Sequence, residues 1–183
     1  MQIQTVGIIG AGTMGNGIAQ ACATSGINVV MVDISEAAVQ KGLATVAGSL
    51  DRLIKKEKIS AADKEAALAK IKVSTDYSAL KAAQLVIEAA TENEALKVKI
   101  LQEVDALVGP EVLIASNTSS ISITKLAAVT GRADKFIGMH FFNPVPMMAL
   151  VEVIRGLQTS DATHAAVQAL AQQLGKTPIT VKN

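Results

Sequence analysis

Tryptophan is missing altogether, and Tyr77, Phe136, Phe141 and Phe142 are the only aromatic rings in 183 residues. A core must therefore come from Val, Ile, Leu, Met and Ala. Half the residues are apolar and 18% are charged, enough for one well-packed domain. An excess of one charge sign is missing too. The formal net charge of +1 removes the broad basic field that non-specific nucleic-acid binding needs, so any basic function is local. The single cysteine, Cys22, excludes an intramolecular disulfide and fits a reducing compartment. No basic stretch followed by an apolar run marks a secretory signal. No run of about eighteen apolar residues marks a membrane span. A cytoplasmic protein with neither membrane nor nucleic acid as partner is expected.

What is present is a rhythm. Short apolar runs at Thr5–Ile9, Val29–Val32, Leu85–Ala89, Val112–Ala115, Phe136–Met139 and Leu150–Ile154 read as strands, most of them apolar on both faces. Helical patterns lie between and beyond them, at about 15–25, 35–57, 60–70, 93–108, 122–129 and 160–174. This alternation predicts an α/β fold with a mostly parallel sheet and right-handed crossovers. One stretch is larger than a crossover requires. Val39, Leu43, Val46, Leu50 and Leu53 form an apolar seam on a helix of about six turns. Ser60 and Asp63 then read as a capping pair that opens another helix. A helical hairpin inserted after the second strand is expected. The chain stops just after a strand-like run at Ile179–Asn183, which reads as a domain boundary.

Gly10-Ala11-Gly12-Thr13-Met14-Gly15 is a G-x-G-x-x-G directly after a strand and opening a helix. In that setting Gly10 makes a tight turn, Gly12 lets backbone approach a pyrophosphate, and Gly15 lets helix and strand pack closely. The helix N-terminus faces the phosphates with free N–H groups. Asp33 ends the second strand, where a carboxylate accepts hydrogen bonds from ribose hydroxyls and repels a 2′-phosphate. NAD is the expected cofactor, on a Rossmann-like, doubly wound sheet. The bland alternative for Asp33 is a helix cap ahead of Ser35.

Two histidines exist. His164 lies in a polar-flanked helix and reads as an exposed surface residue. His140 ends an apolar strand, at the edge where such sheets carry chemistry, and is a natural proton acceptor near neutral pH. Glu152 interrupts the apolar run Leu150–Ile154, and a buried carboxylate needs a partner or a route to solvent. An imidazole would serve; a solvent-facing position at a sheet edge is the alternative. Ser116-Asn117-Thr118-Ser119-Ser120 follows a strand and reads equally as a source of hydroxyls for a ligand or as a capping turn for the helix from Ser122. No metal site is expected.

Taken together, Gly10–Gly15 with Asp33, Ala115–Ser120, Met139-His140-Phe141-Phe142-Asn143-Pro144 and Glu152 resemble the L-3-hydroxyacyl-CoA dehydrogenase family. Within it they are most similar to the bacterial branch acting on 3-hydroxybutyryl-CoA. The resemblance covers the whole chain and implies the NAD-binding domain, residues 1–183, of an NAD-dependent oxidoreductase of fatty-acid or related acyl-CoA metabolism. It implies that His140 is the general base, Glu152 its carboxylate partner, and Ser119 the serine bonded to the substrate oxygen near the nicotinamide. It places Gly10 to Gly15, Asp33, Glu92, Lys97, Ser119 and Asn143 beside NAD, and Ser49, Lys56, Ser119 and Asn143 beside the acyl-CoA. Arg52, Lys55, Lys56 and Lys58 form a local basic cluster suited to a phosphate-bearing substrate, although cations at a helix C-terminus are ordinarily solvated. The family also carries a C-terminal helical domain with the homodimer interface, which is expected to be absent from this chain.

Two rival readings remain. A 3-hydroxyacid dehydrogenase acting on free acids shares the glycine loop but would lack the His140–Glu152 pair and the basic hairpin. A cofactor-binding fragment without turnover would bind NADH and leave it unoxidised.

Overall fold

The alternation resolves into eight strands and six helices in a computed structural model that describes residues 1–183. In chain order they are β1 (Thr5–Ile9), α1 (Thr13–Thr24), β2 (Asn28–Val32), α2 (Glu36–Lys55), α3 (Ala61–Ala69), β3 (Ile71–Ser74), β4 (Leu85–Glu88), α4 (Glu94–Leu107), β5 (Leu113–Ser116), α5 (Ile123–Ala127), β6 (Phe136–Phe141), β7 (Leu150–Arg155), α6 (Asp161–Gln173) and β8 (Thr177–Lys182). The sheet runs β3-β2-β1-β4-β5-β6-β7-β8. All neighbours are parallel except β6 and β7. The first six strands follow the dinucleotide-binding order, with the switch point between β1 and β4.

Aliphatic side chains fill both faces. One face packs α1, α2, α3 and α6 through Ile18, Val46, Leu50 and Leu170. The other packs α4 and α5 through Leu101, Val104 and Leu126. The expected seam on α2 is present: Val39, Val46 and Leu50 are buried, while Leu43 and Leu53 pack beside them. The hairpin turn that follows is built from local bonds. Glu57 takes a left-handed φ of 59°, and its N–H and that of Lys58 donate to Ile54 O and Leu53 O, which closes the helix end. Ser60 and Asp63 then form a reciprocal capping box, with bonds of 3.0 and 2.9 Å.

Two expectations need correction, and the strand-like run at the end of the chain proves to be part of a six-residue strand. The helical hairpin leads into β3, a four-residue edge strand that contains Lys72 and Ser74 and is too short to show a period. β8 completes the sheet as a second edge strand, and an edge tolerates Pro178. His164 is half-buried rather than exposed, because α6 lies against β8 and its Nε2 meets Thr180 Oγ1 at 2.8 Å.

Candidate functional site

The glycine loop sits at the switch point, above the ends of β1 and β4. Gly10 has φ +106°, and a Cβ there would lie 2.8 Å from Ala89 O. A Cβ on Gly15 would lie 1.8 Å from Gly10 O, so α1 rests directly on the loop. A Cβ on Gly12 would meet nothing within 4 Å: its open face looks out of the loop. No side chain caps α1, so its first-turn N–H groups stay available to an anion. Asp33 Oδ2 accepts from Ala11 N at 2.8 Å and Oδ1 from Ile34 N at 2.7 Å. The carboxylate thereby braces the glycine loop and retains lone pairs for further donors. A cleft of about 350 Å³ runs from Gly12, Thr13 and Asp33 to Ala90, Glu92 and Asn117. Beyond Asp33 a second hollow of about 480 Å³ is walled by Ile34, Thr75 and Tyr77. Burial, and then the charges of Glu103, Asp33 and Glu88, push the Tyr77 phenol above its usual range. These features fit a dinucleotide: an open glycine face for the pyrophosphate, free helix N–H groups, and a carboxylate at the ribose position.

His140 and Glu152 face each other across the antiparallel β6–β7 pair. His140 Nδ1 lies 2.9 Å from Glu152 Oε1, which leaves Nε2 as the free ring nitrogen. The imidazole is largely buried, with 16% of its side chain exposed, and the ring of Phe142 lies 4.5 Å away at a tilt of 56°. Because β8 lies outside β7, Glu152 is not at a sheet edge; its side chain is 34% exposed and its carboxylate pairs with His140.

The Ser116–Ser120 cluster bonds mainly to other residues of the fold, and its neighbour supplies the helix cap. Ser122, just beyond it, caps α5 through Lys125 N. Thr118 and Ser120 donate their hydroxyls to one oxygen of Glu92, at 3.0 and 2.8 Å. Ser119, held between them, is exposed and takes no part in those bonds. Asn117 Oδ1 accepts from Phe141 N at 2.8 Å and ties the ends of β5 and β6 together.

A larger cavity, about 620 Å³, opens between α1, the α2 turn and the loop after β6. Ser49, Arg52, Lys56 and Lys58 line it together with Asn143. Lys55 does not. The loop wall is fixed by Lys176, whose ammonium donates to Val145 O and Met148 O at 2.6 and 2.8 Å. Burial lowers the pKa of that ammonium. Thr13 borders both this cavity and the glycine-loop cleft.

Outside the glycine loop, three residues that the resemblance puts beside NAD do not line the glycine-loop cleft: Ser119, Asn143, which lines the basic cavity, and Lys97. Lys97 is fully buried beneath the cleft and bonded to Glu88, rather than lining the cleft. Sequence reasoning overlooked Glu88 itself. The signal that singled out Glu152, a carboxylate in an apolar strand, was equally present in Leu85–Glu88. Arg132 was overlooked as well: it is buried, pairs with Asp105 and donates to the carbonyls of Val108, Gly109 and Val112.

A family model described as "3-hydroxyacyl-CoA dehydrogenase, NAD binding domain" matches residues 5–183. A 3-hydroxybutyryl-CoA dehydrogenase of Bradyrhizobium diazoefficiens is 48% identical over 174 residues, covering 95% of this chain and 59% of that protein. The chain thus spans about three fifths of that curated relative. The crystal structure of (S)-3-hydroxybutyryl-CoA dehydrogenase from Ralstonia eutropha superposes with a TM-score of 0.99 at 77% identity, over all of this chain and 64% of that one. The 3-hydroxybutyryl-CoA dehydrogenase of Escherichia coli K12 gives 0.97 at 38% identity, over all of this chain and 39% of that one. The family match over nearly the whole chain and the near-complete superposition agree with the glycine loop, the strand order and the His140–Glu152 pair: the chain belongs to the 3-hydroxyacyl-CoA dehydrogenase family and corresponds to its NAD binding domain.

Proposed function

We propose that this chain is the cofactor-binding part of an NAD-dependent oxidoreductase that interconverts an L-3-hydroxyacyl-CoA, foremost 3-hydroxybutyryl-CoA, and the 3-ketoacyl-CoA. The observation that carries the reading is the His140–Glu152 pair, on the strand whose exit loop walls the basic cavity. Gly10 to Gly15 and Asp33 hold the dinucleotide, with Ile34 and Tyr77 toward its adenine end. Asp33 disfavours a 2′-phosphate. NAD, when bound, supplies the two-electron acceptor.

The chain's own residues handle proton and position. His140 Nε2 takes the proton of the 3-hydroxyl. Glu152 holds the ring by Nδ1 and stabilises the imidazolium that forms. Ser119 bonds the same substrate oxygen and fixes its orientation, a positioning effect. Ser49 and Lys56, with Arg52 and Lys58, bind the phosphates of coenzyme A, and Asn143 stands at that cavity's wall. No helix is long and apolar enough to cross a membrane. A cytoplasmic location, and a homodimer formed through a further helical domain in the longer protein, complete the proposal.

The test is NADH oxidation by acetoacetyl-CoA in the protein extended to its relatives' length. His140→Ala is expected to lower turnover by about 100-fold or more. Near-normal turnover would overturn the assignment. The same assay on the 183-residue chain separates a self-sufficient domain from a cofactor module, which binds NADH without oxidising it.

A further inference from the structure

Glu88, Lys97 and Ser116 form a dry polar cluster directly under the cofactor cleft. All three are wholly buried. Glu88 ends β4 and Ser116 ends β5, side by side in register, and Lys97 reaches in from α4. One carboxylate oxygen of Glu88 accepts from the Lys97 ammonium and, at 2.8 Å, from Ser116 Oγ. The other accepts from Ala90 N at 2.8 Å. The Glu88 carbonyl takes Asn117 N at 2.8 Å. One residue thus ties down the start of both loops that line the cleft, Ala89–Glu92 and the segment from Asn117.

Stability does not explain the cluster. A buried ion pair loses so much solvation that apolar side chains of similar volume are often as stable or better. The face of the sheet that carries Glu88 and Ser116 is otherwise aliphatic, with Val86, Ile114 and Leu101 buried in the same core. What apolar side chains cannot supply is an acceptor for Ala90 N. That bond sets the peptide after β4, at the switch point, and Glu92 two residues later receives the hydroxyls on either side of Ser119.

We propose that Glu88, Lys97 and Ser116 are positioning residues that fix the Ala89–Glu92 loop as a wall of the cofactor cleft, Lys97 acting on the loop through Glu88. The inference rests on the cofactor reading above. It exchanges stability for a fixed loop, so the two properties separate on mutation.

The experiment compares the 183-residue chain with the variant Glu88→Met, Lys97→Met, Ser116→Ala. It measures unfolding, NADH affinity by titration, and amide hydrogen exchange. The variant is expected to unfold at the same or a higher temperature, exchange faster at residues 90–93 only, and bind NADH at least about tenfold more weakly, a change of about 1.4 kcal/mol. Glu88→Gln, of nearly equal volume, turns a donor toward either Ala90 N–H or the ammonium and so loses one of the two anchors, and weaker NADH binding is expected there too. Unchanged affinity in both variants would overturn the inference. So would weaker binding with residues 90–93 still protected, because the loop would then be held without the cluster. A triple variant that cannot fold would overturn the claim that the cluster is dispensable for stability. Failure of the unaltered chain to bind NADH overturns the cofactor reading first, and is seen before any variant is made.

Discussion

Gly12→Ala and Gly15→Ala are the same chemical change three residues apart, and the structure gives them opposite readouts. Gly12 has φ −71° and ψ −167°, an extended conformation open to alanine, and its added methyl meets nothing within 4 Å. Alanine there should leave the fold intact or stabilise it by about 0.4–1 kcal/mol, through the unfolded chain. The methyl does stand where a pyrophosphate must approach. A steric intrusion costs about 1–3 kcal/mol, so NADH affinity should fall about 5- to 150-fold. At Gly15 the methyl would lie 1.8 Å from Gly10 O, a backbone atom with no side-chain freedom to yield. The helix or the loop must move by more than an ångström, so destabilisation of about 3 kcal/mol or more is expected, a fall in Tm of roughly 6–12 °C at this size. The assay is far-UV circular dichroism on heating, because no tryptophan reports the fold, together with NADH fluorescence titration against that same dark background. Wild-type NADH affinity in Gly12→Ala would falsify the placement of the pyrophosphate over that residue. Wild-type stability in Gly15→Ala would sink the close-packing argument.

Three further outcomes follow from single residues. Glu57→Gly removes a side chain from a left-handed position and should raise stability by about 1 kcal/mol, measured by urea unfolding; a loss would contradict the strain at φ 59°. His164 is held below its ordinary pKa, first by burial and then by the charge of Arg155. A depressed folded-state pKa means that its contribution is complete above about pH 6.5 and is lost as pH falls below that value. Tm should therefore decline on acidification from pH 7 to 5, and His164→Gln should flatten that slope; parallel curves would refute the linkage. Cys22 is fully buried and its thiol is pushed up to about 12, so iodoacetamide at pH 8 should leave the native chain unmodified while labelling it in denaturant.

The long elements were legible in the sequence because a buried sheet under helices leaves apolar runs and a helical period. β1, β2 and α2, with its seam from Val39 to Leu53, carry those marks in their own residues. β3 and β8 do not. Each is an edge strand with polar positions, and tertiary pairing creates it. The candidate site divides the same way. Gly10–Gly15 and Asp33 act through local backbone and strand ends, so spacing reveals them. His140 with Glu152 shows as two interruptions of apolar strands. The Glu88–Lys97–Ser116 cluster joins two strands and a helix, and no spacing rule predicts which cation will meet which acid. Lys97 illustrates the limit: sequence resemblance placed it beside the cofactor, and only the fold shows that it is buried and paired with Glu88.

The direct opposition of His140 and Glu152 across β6 and β7 has a consequence for how this protein can drift. Surface loops ordinarily tolerate gained or lost residues. The segment from Phe142 to Ala149 joins two antiparallel strands whose register sets which side chains share a sheet face. An insertion that slid the register by one would turn Glu152 to the opposite face, leave the imidazole without its carboxylate, and bury a charge among aliphatic side chains. Apart from positions such as Phe142, Asn143 and Val145, which touch the imidazole, the cavity and the core, the letters of that loop can change more readily than its length, which is tied to the strand register.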